Sequence, residues 1–197
     1  MRAIRHLAVL CLLLLSPAVG ADRLNEPFGA LRCADALDAA KSRAADRSAG
    51  QAAFGRLIES RFDLPAISVN LLGRHWQTAS PADREAFRQA FLDYLVLTYA
   101  GRVSSTPDAR IRVVGSRQAD RGWSVRSAVE GVGDRPYAVD WLVHQAGGRW
   151  QVIDVSIGGI SMAATYRDQF VAVLRANGGN IANLTSKLEQ KNRTLAD

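Results

Sequence analysis

The spacing of hydrophobic residues changes twice along this chain of 197 residues. Up to about residue 101 the apolar side chains recur at helical spacing, and between residues 110 and 157 they recur at alternate positions. Helical spacing returns after residue 161. The pattern therefore predicts a group of helices, then a sheet, then helices again, which is typical of the α+β class.

Four helices are predicted before the sheet. The first rests on a moderate signal in an Ala-rich stretch, and the last has the clearest start, because Ser80 is a good N-cap and Pro81 suits the first helical position. The second half of that last helix is apolar almost all round, so we expect it to be buried. Asp63 can cap the third helix. The predicted ranges are 24–46, 48–62, 63–73 and 80–101.

A four-stranded antiparallel meander is predicted next, because connections this short and rich in turn residues suit antiparallel neighbours. In the second and third strands the large apolar residues share one face, so that face is expected to be covered. The predicted strands are Arg110–Gly115, Trp123–Glu130, Tyr137–Gln145 and Trp150–Ile157.

The last strand runs into two consecutive glycines, Gly158 and Gly159, which fit a tight turn better than a strand interior. Ser161 follows as a plausible N-cap of a helix that folds back on the strand. A final helix is predicted over 181–191, and 193–197 is expected to be a flexible tail. We expect the two C-terminal helices to pack on the covered face of the sheet.

The N-terminus has the features of a secretory signal over residues 1–20: Arg2 and Arg5, then an apolar run, then small residues before Ala21. The apolar run is shorter than the roughly 20 residues that a spanning helix needs. We therefore expect an exported protein with a single domain over residues 21–192. Cys33 would be the one thiol left after cleavage, and we expect it to be a small buried hydrophobe.

The net charge of +6 comes from 25 Lys and Arg against 19 Asp and Glu. Loss of Arg2 and Arg5 with the signal lowers it by two, to +4. Export argues against nucleic acid as a partner and leaves anionic lipid headgroups, acidic protein surfaces or simply a soluble basic surface.

Candidate catalytic chemistry is sparse. Neither His75 nor His144 has a second ligand at a spacing that would hold a metal ion, and no glycine-rich phosphate loop or other cofactor motif is found. Ser161, His144 and Asp154 include the residue types of a hydrolase triad, but three such residues occur by chance in most chains of this size. The sequence therefore does not favour an enzyme or a bound cofactor.

Asp154 and Arg167 are the two charges next to apolar runs near the glycine turn. One interpretation is a buried ion pair that fixes the turn, since a carboxylate on a covered face needs a partner. The other is that Arg167 faces a ligand phosphate at the mouth of a cavity, because a guanidinium binds either group through two hydrogen bonds.

Several segments, in this order, resemble the MlaC-like, toluene-tolerance auxiliary proteins, a family of periplasmic phospholipid-binding shuttles of the ABC transport system for outer-membrane lipid asymmetry. The segments are Phe62–Leu64, Leu72–Trp76, Thr78–Pro81, the spacing Phe87, Phe91, Leu95, Tyr99, then Trp150–Val155, Gly159, Ser161 and Tyr166–Phe170. The resemblance covers about residues 50–188. It departs at Gly158, where the family commonly has an acidic residue.

The resemblance implies a periplasmic lipid carrier with an apolar cavity between sheet and helices, and partners in an inner-membrane substrate-binding component and an outer-membrane lipoprotein complex. It implies no cofactor. Alternatives are a hopanoid or other terpenoid lipid carrier, an exported adaptor without a ligand, and, last, an enzyme on a lipid substrate. Tyr166 and Arg167 are candidates for the cavity mouth. Candidate lining residues, which ordinary core packing would also explain, are Phe62, Leu71, Leu72, Phe91, Tyr94, Leu95, Val125, Val139, Trp141 and Met162.

Overall fold

The computed structural model describes residues 46–106 and 108–197. The predicted signal over 1–20, the predicted helix over 24–46 and Cys33 lie outside the described residues and stay predictions. Within the described ranges the fold is α+β, as predicted, with helices packed against an antiparallel sheet.

Four described helices precede the sheet, and a short polar side chain caps the start of three of them. The Asp46 carboxylate accepts from the Ser48 amide at 2.9 Å, Asp63 accepts from the Ala66 amide at 2.9 Å, and the Ser80 hydroxyl accepts from the Asp83 amide at 3.1 Å. These contacts satisfy amides that have no partner inside a helix. The helices are α1 Arg47–Arg61, α2 Leu64–Leu72, α3 Arg74–Thr78 and α4 Pro81–Ser104.

The short helix α3 was not predicted, since the sequence pattern places His75 in a loop. The guanidinium of Arg84, on α4, donates to the carbonyls of Trp76 at 2.9 Å and Gln77 at 3.0 Å. These bonds satisfy carbonyls at the end of α3 that an isolated five-residue helix would leave unpaired. The helix is therefore stabilised by its neighbour rather than by its own sequence.

The sheet is antiparallel throughout and has the order β1-β2-β3-β4-β5. The four predicted strands are present, but β1 continues four residues past Gly115 and a fifth strand of two residues follows the glycine turn. A register shift between Val113 and Gly115 breaks the alternation of apolar and polar residues in β1. The predicted strand therefore ended at Gly115, before the polar second half of β1. The strands are β1 Arg110–Ala119, β2 Gly122–Glu130, β3 Tyr137–Ala146, β4 Arg149–Ile157 and β5 Ile160–Ser161.

The glycine turn is a two-residue hairpin loop between β4 and β5, with Ile157 opposite Ile160. Gly158 has φ of 55° and Gly159 has φ of 81°, and two positive φ values are what a type I′ hairpin turn requires. The predicted N-cap is confirmed, since the Ser161 hydroxyl accepts from the Ala164 amide at 2.9 Å. Helix α5, Met162–Ala176, follows.

The last helix, α6 Ile181–Ala196, runs five residues beyond its predicted end and includes most of the predicted flexible tail. The buried Asn192 side chain donates to the Ala90 carbonyl on α4 at 2.9 Å, and Arg47 donates to the Leu195 carbonyl at 3.5 Å. These contacts with α4 and α1 hold the end of the chain in a helix, which the polar sequence alone does not indicate.

The main core lies between the inner face of the sheet and the helices. Val125, Val139 and Trp141 are buried on the inner face, whereas Arg112 and Arg126 are exposed on the outer face. The second half of α4 is largely buried, as its all-round apolar pattern predicts. Among the described residues, no helix is both long and apolar enough to cross a membrane.

Candidate functional site

The structure brings all ten predicted lining residues to one apolar core. Seven are buried, and Phe62, Tyr94 and Met162 are half-buried and pack against the same core. They come from three directions: the inner face of β2 and β3, helices α2 and α4, and the residues just before α2 and at the start of α5, Phe62 and Met162. The site that the sequence predicts is therefore one contiguous region of the fold.

The sheet contributes an apolar wall in which Trp141 and Ser127 satisfy each other's polar atoms. Trp141 lies opposite Val125 on β2. Its indole nitrogen donates to the Ser127 hydroxyl at 2.9 Å, and that hydroxyl lies 3.4 Å from the Val139 carbonyl. Because the buried tryptophan and serine satisfy each other, this wall presents carbon atoms toward the helices.

The helices contribute a cluster of aromatic rings at the contact between α4 and α5. Tyr166 meets Phe91 edge to face at 5.5 Å between ring centroids and meets Tyr94 at 5.9 Å, and Phe170 meets Phe91 at 5.8 Å. The Tyr166 and Tyr99 hydroxyls are 2.5 Å apart. Such ring pairs add about 0.5–1.5 kcal/mol each beyond their burial, so this contact fixes α5 on α4.

The two predicted mouth residues point in different directions. Tyr166 is only 7% exposed and belongs to the aromatic cluster, whereas the side chain of Arg167 is 48% exposed. Successive residues of a helix are about 100° apart, so one side chain faces the core while the next faces solvent. Their part in ligand binding stays a prediction.

The predicted ion pair between Asp154 and Arg167 is wrong. The Asp154 carboxylate accepts from the Ser161 hydroxyl at 2.6 Å and from the amides of Val155 at 2.8 Å and Ala163 at 2.9 Å. The acidic group that Arg167 approaches is Asp168, at 4.0 Å. Asp154 therefore fixes the turn through the N-terminus of α5, where unpaired amides and the positive end of the helix dipole attract a carboxylate.

His144, Asp154 and Ser161 do not form a triad. The Nε2 atom of His144 lies 2.8 Å from Asp63, while the Ser161 hydroxyl donates directly to Asp154. A serine nucleophile needs an imidazole in hydrogen-bond contact with its hydroxyl, and here the imidazole belongs to a different pair. In the described part of the chain, no cluster of three or more His, Cys, Asp and Glu side chains could hold a metal ion.

Sequence reasoning missed the contact between Asp63 and His144, which joins the start of α2 to the sheet. Asp63 caps α2, and its own amide donates to the Val152 carbonyl on β4 at 3.0 Å. Phe62 forms a parallel bridge with the same Val152. The only local signal was Asp63 as a helix cap, because its other partners are more than 80 residues away along the chain.

Tyr137 and Thr98 each bury a side-chain hydroxyl that has no hydrogen-bond partner among the described residues. Burial raises the pKa of Tyr137 from 10.0 to about 12, because the phenolate would lose its hydration. These hydroxyls are polar groups whose hydrogen-bonding capacity residues 46–106 and 108–197 do not use.

The fold and the site define a class: an open antiparallel sheet with helices against one face and an apolar, aromatic-rich core between the layers. The MlaC protein family model matches residues 32–190. This chain belongs to the MlaC family, and the resemblance inferred from its sequence segments is confirmed.

Two relatives show how far the similarity extends. The toluene tolerance protein ttg2D of Pseudomonas putida is 25% identical over 131 residues, which are 66% of this chain and 61% of that protein. The match therefore spans less than two thirds of that relative. A phospholipid-binding protein from Ralstonia solanacearum, solved in complex with a phospholipid, superposes with a TM-score of 0.72 at 26% identity, covering 88% of this chain and 99% of that chain.

Proposed function

We propose that this protein is a periplasmic lipid carrier. It binds the acyl chains of a phospholipid between the inner face of the sheet and the helices, and carries the lipid between outer- and inner-membrane complexes of an ABC-type transport system. The observation that supports this most is the likeness to the Ralstonia solanacearum protein, since 99% of that phospholipid-bound chain aligns with this fold. The predicted signal over residues 1–20 would deliver the protein to the periplasm.

Lipid entry requires the layers to separate, because the sheet side of the proposed site and its contact with α2 are closed in this structure. Leu71, Val125 and Val139 each have an exposed fraction of 0%. Walls of a cavity large enough for an acyl chain would expose part of their side chains to that space. We therefore infer that the helices move away from the sheet when a lipid enters.

The hydrogen bonds between the layers suggest which side stays closed. The Asp63 amide donates to the Val152 carbonyl of β4, and the Asp63 carboxylate contacts His144 near the end of the neighbouring β3. The Asp154 carboxylate of β4 accepts from the Ala163 amide of α5. By contrast, Val125 and Val139 of β2 and β3 contribute apolar contacts, which have no required direction. The opening is therefore hinged at β4 and widest toward β1 and β2.

The energetics suit a carrier that both takes up and releases its lipid. Moving two chains of about 16 carbons out of water would yield roughly 25 kcal/mol at ~0.8 kcal/mol per methylene, more than any usable affinity. A lipid in a bilayer is already out of water, so the methylene contributions of bilayer and protein nearly cancel. Headgroup contacts and the partner complex then decide the direction of transfer.

One observation favours a second candidate, an exported adaptor that acts only through protein contacts. Leu71, Val125 and Val139 have no exposed surface, which is also the state of residues in an ordinary solid core. A hopanoid or other terpenoid is a third candidate for the ligand itself, since a rigid apolar ring system needs the same apolar walls. Identifying the bound molecule distinguishes the phospholipid carrier, the adaptor and the terpenoid carrier.

The test is organic extraction of the purified, exported protein followed by mass spectrometry. We expect about one phospholipid per protein molecule. A terpenoid in that amount would identify the ligand as a terpenoid instead of a phospholipid. A fully stable protein whose extract contains no lipid would favour the adaptor and overturn the carrier proposal.

A matched pair of variants on α2 tests the location of the site. Leu71→Trp inserts a large side chain into the proposed chain-binding space, and we expect its lipid content to fall below half of the wild-type value. Val69→Trp places the same side chain where Val69 is 46% exposed, and we expect wild-type lipid content. Circular dichroism of both variants checks that they are folded. Equal lipid content in two folded variants would place the lipid elsewhere.

A further inference from the structure

Strand β1 has a free edge. Among the residues that the structure describes, β1 pairs with β2 alone, so its other edge offers backbone donors and acceptors along a strand of ten residues. Such an edge is a template for a further strand, and proteins usually shorten, cover or guard it. A ten-residue edge is long for a strand that remains uncovered.

The side chains along this edge are strongly basic on the outer face of the sheet. Arg110, Arg112 and Arg117 all lie opposite outer-face residues of β2. Arg112 forms an ion pair with Glu130 at 3.1 Å. Arg110 and Arg117 are exposed and have no ion-pair partner in the described part of the chain. The edge therefore carries two positive charges that its own sheet does not neutralise.

A shallow cleft of about 200 Å³ lies next to the register shift in β1. Val114, which is 56% exposed, lines it together with Arg117 and Arg126. Asp140 holds the Arg126 guanidinium through two hydrogen bonds of 2.7 and 2.9 Å. The cleft thus combines an exposed apolar side chain with fixed and free guanidinium groups.

We propose that β1 accepts an extended, acidic segment of a partner protein as a sixth strand. The segment would place an apolar side chain against Val114 and acidic side chains near Arg110 and Arg117, which are seven residues, or roughly 20 Å, apart along the strand. A bilayer surface supplies no peptide groups to pair with the edge, and a second copy of β1 would bring arginines against arginines. This interface does not depend on the lipid cargo.

Hydrogen–deuterium exchange tests the proposal with a synthetic probe. The probe is a capped ten-residue peptide that carries glutamates on both sides of a central valine on one face and threonines on the other face. The control is the same peptide with N-methyl groups on alternate residues, which removes the donors of one edge but keeps the charge. We expect the β1 amides that point away from β2 to exchange rapidly in the free protein, because they have no partner within the sheet. Millimolar probe should slow them, and the N-methylated peptide should not.

Charge-reversal variants test the role of the arginines. We expect Arg110→Glu with Arg117→Glu to weaken binding of the probe about tenfold. Arg56→Glu with Arg175→Glu, two exposed sites on α1 and α5, changes the net charge equally and should leave binding unchanged. Lipid content should be the same in both double variants, so a failure here is distinct from a failure of the carrier proposal.

Four outcomes would overturn the proposal. Slow exchange, in the free protein, of the β1 amides that point away from β2 would show that the edge is already covered. Equal binding of both peptides would show that charge alone attracts them. If the probe does not bind at millimolar concentration, β1 does not accept an added strand. Protection of the same amides by phosphatidylglycerol vesicles, to the same extent, would favour a membrane surface over a strand.

Discussion

Replacing Asp154 by asparagine should destabilise the protein by about 3 kcal/mol. The carboxylate accepts three hydrogen bonds, from the Ser161 hydroxyl and the amides of Val155 and Ala163. Hydrogen bonds to a charged group contribute about 1.5–3 kcal/mol each, and charge near a helix N-terminus contributes about 0.3–1 kcal/mol. The asparagine side chain keeps one acceptor oxygen, but its NH2 group replaces the other and faces groups that also donate. About one or two of the three hydrogen bonds are therefore lost, together with the favourable charge at the helix N-terminus.

Urea and thermal unfolding of Asp154→Asn measure this loss. A change of 1 kcal/mol shifts the melting temperature of a domain of this size by about 2–4 °C, so we expect a decrease of roughly 6–12 °C. Arg167→Gln is the control, because the Arg167 side chain is 48% exposed and lies 4.0 Å from Asp168. We expect that control to stay within about 0.5 kcal/mol of wild type.

A third variant shows whether Asp154 acts through Ser161. Ser161→Ala removes both the hydrogen bond to Asp154 and the N-cap, which should cost about 0.5–2 kcal/mol. Because the two residues share one bond, the double variant should lose less than the two single variants together. Equal losses in Asp154→Asn and Arg167→Gln, with strict additivity for Ser161, would refute this account and restore an ion pair with Arg167.

Three further predictions concern other parts of the fold. Gly158→Val should lower the free energy of unfolding by about 1–2 kcal/mol, because φ at this position is 55°. Gly101→Ala, inside α4, should be neutral or should stabilise the protein by up to ~1 kcal/mol. Equal melting temperatures for the two variants would contradict the turn geometry. The folded-state pKa of Tyr137 is raised from 10.0 to about 12, so the stability of the wild type should fall as the pH rises from 10 to 12, and Tyr137→Phe should lack that part of the decrease in urea titrations. Asp63→Ala removes both the cap of α2 and the partner of His144, and should lower the free energy of unfolding by about 2 kcal/mol. His144→Gln keeps the cap and should lose less. A larger loss in His144→Gln, measured by chemical denaturation, would contradict the capping role.

Much of the fold could be predicted from local chemistry. Asp63, Ser80 and Ser161 cap helices as predicted, because an N-cap needs only a short polar side chain and amides two or three residues away. The alternation in β2 and β3 predicts the buried face of the sheet for the same reason, since neighbouring side chains of a strand point to opposite sides. The segments typical of the MlaC family could be read in the same local way.

The errors arose where a local pattern was interrupted or too short. The bulge between Val113 and Gly115 hid the second half of β1, and a strand of two residues such as β5 has no period to detect. Helix α3 and the last turns of α6 depend on Arg84 and Asn192, whose partners lie on other elements. Local propensity gave no signal for these contacts.

The sequence by itself determined the α+β class, the apolar face of the sheet, the glycine turn and the set of residues around the core, because each depends on neighbours within a few positions. Only the tertiary structure decided that Asp154 binds the start of α5 rather than Arg167, and that His144 binds Asp63 rather than a serine. Charged and polar groups choose the partner that the folded chain brings within about 3 Å, and many sequence positions offer a chemically equivalent partner. Distance in the folded protein, which the linear pattern does not contain, selects among them.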